Sequence, residues 1–221
     1  MAIAINGSSN VITGLSVGGL PDGIVDADML ASNAVTSAKL ASGVAGSWKK
    51  LSSTTISSNV SDVTFTNSIT DAFDTYKMYA IAFSQLQPTN DGIELRMRIQ
   101  EGGSTITSTN YRARVFSPDG DISNAVGSKD HLRLCKDALG NATSGSAVLE
   151  DTNGIIYMTN FVANREWRYY GFHMFGTSVQ DRNFDTFGGG FAGTNATTGV
   201  VILPESGSWA SGTLTLYGIE L

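Results

Sequence analysis

Apolar and polar residues alternate in short runs along most of the chain, which is the pattern of half-buried β-strands. Glu94–Ile99 is the clearest case. Its apolar residues, Leu95, Met97 and Ile99, share one face, and three charged residues occupy the other. Tyr76–Phe83 is apolar on both faces, as expected for a central strand. The other predicted strands are Trp48–Ile56, Asp62–Phe65, Tyr111–Phe116, His131–Cys135, Val148–Phe161, Arg165–Phe175, Phe187–Phe191, Val200–Leu203 and Gly212–Leu221.

About ten short strands separated by turn residues predict an all-β fold, an antiparallel β-sandwich of jelly-roll type. A Greek-key sandwich of another topology is the alternative, because the pattern does not give the strand order. The run Val148–Phe161 predicts either one longer strand or two strands joined by a hairpin turn at Asp151–Gly154. One helical turn is expected at Ser68–Phe73.

The first 46 residues follow a different pattern. Alternation on both sides of Asn6–Asn10 predicts a small hairpin or two extended pieces. Residues 24–43 then form two similar ten-residue units, IVDADMLASN and AVTSAKLASG, each with a capping residue before a few helix formers. We therefore expect an extended arm over residues 1–46 that contains short helical turns. The β-sandwich head is expected over residues 47–221.

The helical turns of the arm are too short to be stable alone, since isolated helices need roughly 12–15 residues. Their apolar side chains must be covered by another copy of the chain or by a host structure. The residues predicted to anchor and assemble the protein in this way are Val25, Leu30, Val35 and Leu40.

Composition excludes several classes of partner. The net charge of −6 argues against nucleic-acid binding, which needs clustered Lys and Arg. The chain carries no secretion signal and no apolar run approaching the roughly 18 residues of a membrane span. We therefore expect synthesis in a cytoplasm and no membrane insertion.

The residues that carry catalysis or bind metals are few. The two histidines are too far apart for a metal site, the single cysteine excludes a thiolate cluster, and the chain lacks G-x-S-x-G. Asp119, Asp121 and Asn124 fit a plain turn better than a calcium loop. The sequence therefore predicts a protein that is not an enzyme and that holds no cofactor.

Aromatic residues are the remaining candidates for ligand binding. Trp167, Tyr169, Tyr170 and Trp209 have flat rings that suit sugar contact. The alternative interpretation is that alternate members of this group pack the sandwich core, and that the others face a neighbouring subunit.

Several local sequences resemble short virion proteins of tailed phages that infect aquatic bacteria. The similar segments are the opening INGSSNVITGLSVGGLPDG, the paired units of Gly23–Gly43, Phe73–Tyr76 and the closing GTLTLYGI of Gly212–Ile219. The resemblance implies a homotrimeric, non-enzymatic component of the virion, made in the bacterial cytoplasm, whose partners are capsid or tail proteins.

Three functions stay open within this resemblance. The first is a fibre or knob protein whose arm docks on the particle and whose head projects from it. The second is a receptor-binding fibre tip that recognises a glycan of the host surface. The third is a capsid decoration protein that stabilises the phage head.

Overall fold

The computed structural model describes residues 4–6, 11–13, 47–66, 75–117, 122–135, 139–141, 150–161, 166–176, 182–193 and 195–220. The chain divides into two compact units, Met1–Gly46 and Ser47–Leu221. In the first unit, β1 (Ala4–Asn6) and β2 (Val11–Thr13) pair antiparallel as the predicted hairpin. The predicted helical turns of the arm and of Ser68–Phe73 lie outside the described residues.

The second unit consists of strands, as the alternating pattern predicts, and its described residues contain no helix that could cross a membrane. Its strands are β3 (Trp48–Ile56), β4 (Val63–Thr66), β5 (Met78–Pro88), β6 (Leu95–Glu101), β7 (Ser104–Thr105), β8 (Tyr111–Phe116), β9 (Ile122–Lys129), β10 (Leu132–Arg133), β11 (Thr152–Thr159), β12 (Trp167–Gly176), β13 (Arg182–Phe191), β14 (Thr197–Pro204) and β15 (Trp209–Ile219).

The strands form two antiparallel sheets. The large sheet has the order β3-β15-β5-β11-β12-β13-β8-β9, and the small sheet has the order β10-β6-β14-β4, with β7 beside β6. The quartets β3-β15-β5-β11 and β4-β14-β6-β10 have the strand order of a jelly roll, so the predicted fold class is confirmed. Two additional hairpins, β8–β9 and β12–β13, extend the large sheet beyond β11.

Alternate residues of both sheets point into a common core. Leu95, Met97 and Ile99 of β6 are fully buried, as the sequence predicts. The large sheet contributes large side chains such as Ile81, Leu214 and Trp167. The burial of these inward-facing side chains holds the two sheets together.

Two details of the strand assignment differ from the prediction. Of the two alternatives for Val148–Phe161, a hairpin turn at Asp151–Gly154 is wrong, because a single strand, β11, pairs with β5 on one side and β12 on the other from Thr152 onward. Gly154 serves close packing there, since a Cβ atom at this position would lie 2.5 Å from the Phe172 carbonyl oxygen. The strand β9 was not predicted.

Candidate functional site

The outer face of the large sheet carries the exposed apolar side chains. The six large hydrophobic residues exposed among the described residues all lie on strands of this sheet, on the face turned away from the core: Trp48, Phe116, Tyr170, Phe172, Met174 and Phe184. Single exposed apolar residues are normal, but their concentration on one face indicates a contact surface.

Strand register arranges four of these residues at one end of the face, which we call the apolar end: Phe116, Phe172, Met174 and Phe184. Phe116 and Phe172 flank Thr186 on β13, and Met174 pairs with Phe184. The Phe172 and Phe184 ring centroids are 5.9 Å apart. Thr186 and the four residues of the apolar end are all uncharged.

The next rows of the same face contain what we call the arginine trough: Arg112, Arg114, Arg168, Tyr170, Gly188 and Gly190. Gly188 lies between Tyr170 of β12 and Arg114 of β8, and Gly190 lies between Arg168 and Arg112. Because neither glycine has a side chain, the floor of the trough is bare backbone. The arginines alternate on β8 with buried residues, so both guanidinium groups are on the outer face.

Among the described residues, one carboxylate lies in the trough. Glu166 Oε2 accepts a hydrogen bond from Arg168 Nη2 at 2.7 Å. A Cβ atom at Gly190 would lie 3.3 Å from Glu166 Oε1, so the carboxylate covers that glycine. Gly188 has only ordinary contacts at its Cβ position, the nearest being the Tyr169 carbonyl oxygen at 3.4 Å. The Gly190 half is therefore filled, and the Gly188 half is open.

The outer face of the small sheet has the opposite character. Arg96 contacts Glu94 at 2.8 Å and Glu205 at 2.6 Å, and Arg133 Nε lies 3.1 Å from Glu94. His131 is buried within this network, with Nδ1 2.7 Å from Asp130 Oδ1. Its hydrogen bond to Glu94, helped by the neighbouring arginines, lowers the Glu94 pKa to about 2. These charges neutralise one another, as on a solvated surface.

A polar cluster lies in the interior of the sandwich. His173 and Asp185 are buried opposite each other on β12 and β13, and the Thr152 hydroxyl lies 2.9 Å from His173 Nδ1. Burial raises the pKa of the nearby Cys135 thiol to about 12, so the sulfur is a thiol and a poor nucleophile. The described residues contain no group of His, Cys, Asp and Glu that is suited to a metal ion.

The structure separates the four aromatic residues that the sequence suggested for glycan contact. Trp167, Tyr169 and Trp209 are buried, with at most 2% of each residue exposed, so contact with a glycan is wrong for these three. Trp209 Nε1 instead donates a hydrogen bond to the Ile202 carbonyl oxygen at 3.2 Å. Tyr170 is 51% exposed and is the one member that a ligand can reach. Core packing by alternate residues is therefore the correct interpretation for β12.

The predicted anchor residues Val25, Leu30, Val35 and Leu40 lie outside the described residues. Three residues of the arginine trough, Arg112, Arg114 and Gly188, were not singled out from the sequence. Alternation in Tyr111–Phe116 places the two arginines on one face, but only the pairing of β8 with β13 brings them to Gly188 and Gly190.

Comparisons with known proteins give no relative for this chain. No family model, no curated protein and no solved structure matches it.

Proposed function

We propose that this protein is a non-enzymatic structural component of a phage virion that assembles as a homotrimer. Residues 1–46 dock on other virion proteins of the capsid or tail, and the β-sandwich head projects from the particle. The local resemblances described above support the phage assignment and the number of subunits. The concentration of exposed apolar side chains on one face supports self-association, and this observation carries the proposal.

The size of the apolar end fits part of a subunit interface. A large aromatic side chain offers about 150–250 Å², so three phenylalanines and a methionine that are roughly half exposed present on the order of 400 Å². A stable interface covers about 800 Å² on each partner. We propose that contacts between the arms of neighbouring copies, through Val25, Leu30, Val35 and Leu40, supply the remainder.

Light scattering of the full chain tests this proposal. The wild type should have about three times the chain mass of 23.3 kDa. Phe172→Asp and Met174→Asp should each reduce the mass toward one chain, because a charge buried in an apolar contact is costly. Both residues are exposed, so the thermal melt should change little.

The matched control for an added charge is Ser58→Asp, in the exposed bend that follows β3. This variant should keep the trimer mass. A monomeric wild type would overturn self-association, and a trimer that survives both charged variants would exclude the apolar end as its interface.

Two alternative virion roles fit the same fold, capsid decoration and host recognition by a fibre tip. Particle images would distinguish decoration from a fibre, because a decoration protein would be located on the phage head and a fibre on the tail or at a vertex. Binding of a host glycan is favoured by one specific observation, the exposed ring of Tyr170 beside arginine side chains.

A further inference from the structure

The open half of the arginine trough lies beside one free face of an aromatic ring. Tyr170 stacks on its cross-strand neighbour Tyr157, with ring centroids 5.1 Å apart and an angle of 19° between the ring planes. This separation is close to the spacing of adjacent strands, so the rings stack along the row that crosses the sheet. The ring leans over Tyr157, since the Tyr170 hydroxyl lies 4.0 Å from Met78 Sδ on β5. Its second face is left exposed, and Gly188, the next residue of the row, adds no side chain that would cover it.

The spacing of the strands leaves room for one flat ring over Gly188, a space that we call the slot. Tyr170 and Arg114 lie on strands separated by β13, which is two strand spacings, or roughly 9.5 Å. Two van der Waals contacts of about 4–4.5 Å each fit within this width. Gly188 contributes no side chain to the slot, and its hydrogen can lie under the ring of a bound sugar.

The far side of the slot carries positive charge. Arg112 and Arg114 are exposed, and neither guanidinium group has an ion pair or hydrogen bond with another residue that the structure describes. Guanidinium groups bind carboxylate, sulfate and phosphate oxygens through paired N–H donors. The Glu166 carboxylate over Gly190 demonstrates that an acid group fits on the glycine floor between two arginine positions.

We propose that the open half of the trough binds an acidic polysaccharide, with one sugar ring on Tyr170 and its acid group on Arg114 and Arg112. Sugar rings stack on tyrosine through their apolar C–H faces, and the arginines select rings that carry carboxylate or sulfate. The inference goes beyond the structural role, which requires no ligand, and it holds whether the chain is a trimer or a monomer.

Charge favours a polysaccharide over a nucleic acid. The whole chain has a net charge of −6, and of the three arginines in the trough Arg168 is already paired with Glu166. Nucleic-acid binding depends on many phosphate contacts and on a broad basic surface. Two free arginines beside a single aromatic ring suit a polymer that presents one acid group on each sugar.

Isothermal titration of the full-length protein tests the proposal. The probes are polygalacturonate, which carries carboxylates, dextran sulfate, which carries sulfates, and neutral dextran. We expect one or both acidic polymers to bind and dextran to remain unbound. The two acidic probes distinguish a carboxylate ligand from a sulfate ligand.

Two variants remove different parts of the site. Arg114→Ala removes a cation, and Gly188→Val fills the slot without changing the charge, in a space where the nearest atoms are at ordinary contact distances. Each should weaken binding roughly tenfold or more, because a charge-assisted hydrogen bond or the stacking contact is lost. Lys50→Ala is the matched control, since Lys50 is exposed in the same row of the sheet but at its opposite edge.

Thermal melts of each variant establish that the fold is intact, and light scattering records the mass in parallel. Loss of binding in both variants at an unchanged mass supports the trough and is independent of trimer formation. The proposal is overturned by affinities that are unchanged in both variants, by binding of neither acidic polymer, or by equal binding of neutral dextran. Tighter binding of a single-stranded DNA oligonucleotide with the same dependence on Arg114 would assign the trough to nucleic acid instead.

Discussion

His173 is a buried ionisable side chain that packs among aromatic rings, and its Nε2 atom lies 3.9 Å from the buried carboxylate of Asp185. It stacks on Phe175 with ring centroids 4.6 Å apart, and it contacts Phe83 and Phe187 at 6.3 and 5.8 Å. The surrounding rings exclude water, so burial lowers the His173 pKa to about 3. The folded protein therefore holds this imidazole neutral at a pH where an unfolded chain would protonate it.

This burial predicts a loss of stability in mild acid. The folded pKa is below the usual value of 6.5, so the unfolded state binds the additional proton. The contribution of His173 is complete above pH 6.5 and declines toward pH 3. The free energy of unfolding should fall by up to roughly 1.4 kcal/mol for each pH unit within that window.

The variant His173→Asn isolates this effect, because its amide does not titrate and can still bond to Thr152. Denaturant melts of both proteins at a series of pH values give the comparison, and His131 is present in both. The slope between pH 6.5 and 4.5 should be smaller in the variant. Equal slopes would exclude His173 as the group responsible. Below pH 4.5 the loss of the Glu94 contribution is added, because its folded pKa is also lowered.

At the scale of single strands, the alternating pattern predicted the positions of strands well where one face of the strand is buried. It failed where the neighbouring strands determine whether a segment is a strand or a turn. The Asp-Thr-Asn-Gly sequence of 151–154 favours a turn, but hydrogen bonding to two neighbouring strands overrides that preference. The apolar residues of β9, Ile122, Ala125 and Val126, do not all fall at alternate positions, so the strand carries no clear period of two. The jelly-roll class was predicted from the number and spacing of the strands, but the order of the strands depends on tertiary pairing and the alternating pattern does not give it.

The same limit explains the candidate site. In Trp167–Tyr170, either the odd-numbered or the even-numbered residues could face the core, and the sequence does not show which. The trough requires the register of β12, β13 and β8 together, which brings residues more than 50 positions apart in the chain into one row. Local pattern predicts which residues share a face, and the topology determines what that face contains.

The strand β6 gives a direct test of alternation. Met97→Ala should lower the free energy of unfolding by roughly 2–5 kcal/mol, because Met97 is fully buried in the core. Arg96→Ala should cost about 1 kcal/mol or less, since its ion pairs with Glu94 and Glu205 are near the surface. Thermal and denaturant melts of the full chain measure both. Equal losses would mean that the ion network supports the fold as strongly as the core does.

Across the second unit, the two outer faces of the sandwich have different chemistry. The small sheet presents arginine and carboxylate groups that are already paired with one another, and such a surface is stable in water. The large sheet presents aromatic side chains and the arginine trough. A head that assembles through one sheet and leaves the other in solvent accounts for this division, and it places the trough next to the proposed subunit contact.

The two units of the chain should be separable in function. A chain of residues 47–221 should keep a cooperative melt and a β-type circular dichroism spectrum, because the buried core cluster of the described residues lies within this unit. It should not be incorporated into phage particles, since the proposed anchor residues Val25, Leu30, Val35 and Leu40 are removed. Quantitative mass spectrometry of purified particles measures incorporation. The control is the full-length chain with Ser58→Asp, a variant that is altered in the sandwich but keeps the arm. Incorporation of the shortened chain at full occupancy would move the anchor from the arm to the sandwich, and the apolar end of the large sheet would then be the first surface to test.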